Sequence, residues 1–186
     1  MSRMIAAPLS RQEIRVLANI IRKIAGYDTN FNILEFLEKT LSEKLDSEFE
    51  MHVVEDEEIK GCYAKACPEK HLIIVSETAY NGAYKGIGRH RFTLCHELGH
   101  YLLHEADRVS FPRLDRNIKP YEDTEWQANT FAGELLVPED IAKNFSADEI
   151  VKICGVSRQV ALIQKEQVSK QKNRATKRLE SLVTIA

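Results

Sequence analysis

Residues 91–104 read RFTLCHELGHYLLH, an apolar stretch into which His96, Glu97 and His100 are set. Read as a helix, it carries Phe92, Leu94, Cys95, Leu98, Tyr101, Leu102 and Leu103 on nearly every side, so the fold has to be built around it. The segment must be buried. Its two histidines are four positions apart, hence about 40° from each other around the axis and one turn apart along it. Two imidazoles so placed can grip one ion. Glu97 lies about 100° round from His96, near such an ion without being a natural third ligand, which suits a base that takes a proton from water. Polar groups buried without partners are costly, and a metal ion supplies the partners. The competing reading is a polar stripe on a helix that reads this way by chance.

A catalytic zinc usually takes three protein ligands and leaves a fourth position to water. His104 continues the four-residue spacing, but it lies about 11 Å of rise beyond His96, too far for one straight helix to wrap both round one ion. It is expected beside the cleft. A better third ligand is Glu125 in TEWQANTFAGELLVP, with Asn129 four residues on and so on the same face. Ala128 and Ala132 beside them, facing Gly99, would let two helices approach closely. Asn129 could then accept the free ring N–H of a ligand histidine. Glu122, Asp123 and Glu134 are rivals for the third position, and a solvated Glu125–Asn129 face is the alternative.

The rest of the chain supplies a scaffold of the α+β class. Ser10 and Glu13 form a capping box before a helical run that ends at Gly26, and FNILEFLEKTLSEKL gives a second helix, capped from the preceding DTN. FEMHVV, GCYAKA and HLIIVSE are short β-rich runs, expected as a small sheet containing a hairpin. YNGAYKGIG reads as a loop, and Thr124 with Gln127 opens the helix that Pro138 ends. With 26 basic against 28 acidic residues, nothing global argues for nucleic acid or an anionic membrane. The start MSRMIAAPLS lacks the apolar run of a signal peptide, no stretch approaches the roughly 20 residues of a membrane span, and the four cysteines show no CxxC pairing. Those observations predict a cytoplasmic protein.

RFTLCHELGHYLLH followed by EWQANTFAGELLVP resembles the ImmA/IrrE family of zinc metallopeptidases, whose core carries HExxH and then a Glu-x-x-Ala-Asn helix running into Leu-Leu-x-Pro. The motifs cover residues 91–138, and Cys95 stands where alanine is frequent. The resemblance implies a zincin-like core of the gluzincin type, with His96, His100 and Glu125 as zinc ligands and Glu97 as the catalytic base. It also implies an endopeptidase that acts on a helix-turn-helix repressor and relieves its repression, in phage or mobile-element control or in a DNA-damage response. Tyr101, His104, Tyr121 and Arg113 are candidates to steady the developing oxyanion, and Asn129, His104 and Tyr101 to support the ligands. An extended substrate is expected to add to the sheet edge near residues 61–76.

Residues 1–145 are read as the peptidase domain and residues 146–186 as a helix-turn-helix-like segment with a basic tail. In SADEIVKICGVSRQVALIQKEQ, apolar positions flank a turn at Gly155, with Ile150, Val156, Val160 and Ile163 expected to bury. Residues 165–178 then hold six lysines or arginines against Glu166. Direct DNA binding is therefore an alternative, less favoured than packing and partner recognition because the whole chain is slightly acidic. The rival function is a DNA-binding regulator, or one half of a toxin module, with a structural zinc. Glu97 discriminates, since a structural site does not require a base.

Overall fold

The computed structural model describes residues 4–27, 29–104 and 118–183. Arg113 and the loop through Pro112 lie outside them. Helix α1 (Arg11–Ala25) starts at the Ser10–Glu13 capping box and stops at Gly26, whose φ of 76° a side chain would disfavour. The second helical run comprises α2 (Ile33–Glu35), a π-helical turn (Phe36–Thr40) and α3 (Leu41–Lys44). Its cap is Asn32 rather than DTN, because the Asn32 side chain reaches the Glu35 amide.

Three strands follow: β1 (Glu50–Val54), β2 (Ala64–Cys67) and β3 (Leu72–Ser76). The hairpin is β2–β3, joined through Pro68–Lys70, and β1 lies parallel to β3, giving the order β1-β3-β2. Central β3 turns Ile73 and Val75, both fully buried, to the core. The stretch read as a loop is largely helical: α4 (Glu77–Tyr84) is capped by Ser76, whose hydroxyl accepts from the Ala79 amide. A serine at the end of a strand was the signal, outweighed by the asparagine and glycine that follow.

Helix α5 (Gly88–Leu103) contains the two histidines and packs on α6 (Thr124–Leu136). The cap of α6 is Asp123, not Thr124, since the Asp123 carboxylate accepts from the amides of Glu125 and Trp126. Gly99 makes the helix pair possible: a Cβ there would stand 3.1 Å from Ala128 Cα and 3.1 Å from Phe131. Gly99→Val is therefore expected to cost about 1–3 kcal/mol in denaturant unfolding, and Gly99→Ala less, because its single methyl can be met by small shifts. An undiminished midpoint for Gly99→Val would show that the contact does not set the spacing.

Helices α7 (Glu139–Asn144), α8 (Ala147–Cys154) and α9 (Arg158–Val183) complete the order. Ile150, Cys154, Val156 and Ala161 join the same apolar core as α5 and α6. Ile163 does not: it is 43% exposed, because the inward face of α9 at that level is taken by Ala161 and Gln164. Arg91, the first letter of the histidine stretch, is buried and donates to the carbonyls of Cys154, Gly155 and Phe31 and to Asn30. It clamps α5 to the α8–α9 turn. Cys67, Cys95 and Cys154 are buried free thiols, and burial pushes that of Cys95 up to about 12. No helix among the described residues is long and apolar enough to cross a membrane.

Candidate metal centre

Helix α5 projects His96 and His100 from one face toward α6, and α6 answers with Glu125 in its first turn. The Nε2 atoms of His96 and His100 are 3.0 Å apart, and the Glu125 carboxylate oxygens lie 3.4 Å from the first and 3.2 Å from the second. A tetrahedral ion with ligand bonds of 2.0–2.1 Å separates its ligand atoms by about 3.3 Å. Among the described residues these three form a group that could hold a metal ion. The histidines are mostly covered while the Glu125 side chain is half exposed, so the group is open on one side. Burial pulls His96 down, but Glu125 and Glu97 outweigh it and the net shift is upward. The two histidines hold Glu125 well below the usual carboxylate range.

Each imidazole is held from behind. His96 Nδ1 lies 3.1 Å from Asn129 Oδ1, one turn after Glu125 on α6. His100 Nδ1 lies 2.9 Å from His104 Nδ1, and His104 Nε2 lies 3.0 Å from Gln127 Oε1. His104 is the C-cap of α5, its φ of −124° already outside the helix, so its ring turns back against His100 instead of continuing the helical stripe. Burial lowers its pKa to about 4.

Glu97 faces the sheet. Its carboxylate accepts from the amide of Ala66 on edge strand β2 at 2.8 Å, and burial raises its pKa despite that hydrogen bond and the two histidines. Tyr101 is set apart from this face, since its hydroxyl donates to Asp46 and its ring stacks edge-on against Phe49. The rivals to Glu125 are engaged elsewhere: Glu134 pairs with Arg11 and Arg15, Asp123 caps α6, and Glu122 accepts from the Lys119 amide. Tyr121 is exposed. Gln127, which the sequence pairs with Thr124 as a helix start, is a fully buried amide in contact with His104. The signal lay in its position, a glutamine beside Ala128 and four residues before Phe131, where a buried amide must find partners.

Residues 82–163 match the IrrE N-terminal-like domain, a peptidase family. The chain is similar to an uncharacterized immunity region protein 2 of Bacillus phage phi105, at 34% identity over 109 residues, which cover 56% of this chain and 64% of that one. Its fold is similar to that of a Mycobacterium tuberculosis transcriptional regulator, with a TM-score of 0.53 and 14% identity over 81% of this chain and 45% of that chain. The chain thus spans less than two thirds of the length of either relative.

Proposed function

We propose, from the premise that residues 82–163 belong to the IrrE N-terminal-like peptidase family, that this chain is a zinc-dependent endopeptidase with a zincin-like core. The observation that carries the reading is the convergence of His96, His100 and Glu125: one ligand atom from each lies within 4.8 Å of the others, with the two imidazole nitrogens 3.0 Å apart and each within 3.4 Å of a carboxylate oxygen. His96, His100 and Glu125 would hold the ion, and a two-histidine, one-carboxylate set suits zinc. When bound, zinc supplies Lewis acidity, lowering the pKa of a water towards about 7 and polarising a carbonyl. Glu97 would take that water's proton and return it to the leaving amine, a role for which its raised pKa fits it. Strand β2, an edge strand whose Ala66 amide already meets Glu97, would receive the extended substrate.

The phage immunity-region relative supports a repressor as substrate, and a helix-turn-helix repressor is the proposed one. In this reading residues 1–145 do the chemistry. Residues 146–186, the helix-turn-helix-like segment and its basic tail, would recognise the partner. The regulator reading, with a structural zinc and DNA as ligand, is favoured by nothing at the centre, where three candidate ligands leave an open side and Glu97 stands beside them. Purified chain is expected to carry about one equivalent of zinc and to cleave a co-expressed repressor from its own locus, with cleavage stopped by a chelator and restored by zinc. A metal-free chain with unreduced cleavage, or tight duplex binding without cleavage, would overturn the reading.

A further inference from the structure

We infer that Gln127 and His104 are positioning residues that fix the ring tautomer of His100, so that its Nε2 presents a lone pair to the metal centre. The proposal rests on the metal reading above only for its consequence, since the tautomer itself follows from donors and acceptors. Gln127 Nε2 lies 2.8 Å from the carbonyl oxygen of Ala7 and 2.8 Å from that of Tyr121. Both amide hydrogens are thereby used. Turning the amide over would set its oxygen against two carbonyl oxygens, so the Gln127 oxygen has to face His104.

A glutamine oxygen only accepts, hence His104 Nε2 carries the proton in that 3.0 Å contact. His104 is buried, with a neutral amide as its partner, and a neutral imidazole has one N–H. Its Nδ1 is then an acceptor, and the group 2.9 Å away is His100 Nδ1, which has to donate. In neutral His100 that leaves Nε2 bare. A bare Nε2 is the form that ligates zinc, whereas the opposite tautomer would aim an N–H at the ion.

The clamp is anchored in the fold and not in the site. Ala7 and Tyr121 belong to two backbone segments tied together by the Ile5–Asp123 bridge and by the amides of Ala6 and Leu9 on the Glu122 and Tyr121 carbonyls. Ala7 is thus three hydrogen bonds away from a ligand ring, through Gln127 and His104. His96 has a looser support, because Asn129 is exposed and its amide can turn.

Long-range proton–nitrogen spectra of the metal-stripped, nitrogen-labelled wild type, recorded at a pH high enough for His100 to be neutral, test the tautomer directly, and His100 is expected to be protonated at Nδ1 and bare at Nε2. Zinc affinity, read by competition with a chromophoric chelator, should fall about 10–100-fold in His104→Phe. It should recover most of that loss in His104→Gln, whose amide oxygen can accept from His100, and Asn129→Ala should cost less than His104→Phe. A neutral His100 protonated at Nε2, or unchanged affinity in His104→Phe, would overturn the proposal. Wild-type protein that takes up no zinc would defeat the metal reading alone, and the His100 spectrum would then decide the clamp by itself.

Discussion

Glu97→Gln is expected to keep a full metal complement and lose peptide hydrolysis by about 10²–10⁴-fold, the contribution of a positioned general base. The amide cannot take a proton from water, yet its oxygen can still accept from the Ala66 amide that now meets the carboxylate. The fold should therefore persist. Burial already works against the charged form of Glu97, so a neutral amide of the same shape removes a desolvation cost. The variant should melt no lower than the parent, the pattern of a site that gives up stability for activity. Parental turnover on the same repressor substrate would remove Glu97 from the chemistry, and loss of metal in this variant would make it a ligand rather than a base.

How far the sequence carried depended on whether a feature lived within one helix. The pairing of His96 with His100 and the four-residue step from Glu125 to Asn129 are consequences of helical period, and each stands in the structure at the geometry that period implies. What spacing could not show is where a chain leaves the helix. His104 continues the four-residue rhythm on paper, but α5 ends at Leu103, and the ring swings back against His100. Gln127 and Arg91 were missed for a related reason. Their partners are Ala7, some 120 positions earlier, and Cys154 and Gly155, some 60 later, and no local pattern records such meetings. The α4 segment failed differently: asparagine and glycine argued for a loop, and tertiary packing of Ala79 and Ala83 overrode them.

The two carboxylates of α6 should give opposite results when removed. Glu134 is 2% exposed and pairs with Arg11 at 2.5 Å and with Arg15 at 2.7 Å, the latter itself 4% exposed. Breaking a buried pair by deleting one partner leaves an uncompensated charge and costs about 3–5 kcal/mol. Glu139 and Gln171 also reach Arg15, so the lower end applies, which is about a hundredfold in the folding equilibrium. Glu134→Ala is thus expected to unfold much earlier in denaturant while its folded fraction still takes up zinc. Glu125 is half exposed and contributes little to the core, so Glu125→Ala should move the unfolding midpoint of the metal-stripped protein far less than Glu134→Ala does. Its zinc affinity should fall by more than the roughly 10–100-fold that losing an outer support costs, because a ligand is gone. If Glu134→Ala released zinc at unchanged stability while Glu125→Ala retained it, the assignment of the third ligand would be reversed. The cause of the expected asymmetry is position: one carboxylate sits at the first turn of α6, opposite two imidazoles, and the other two and a half turns on, opposite two guanidinium groups.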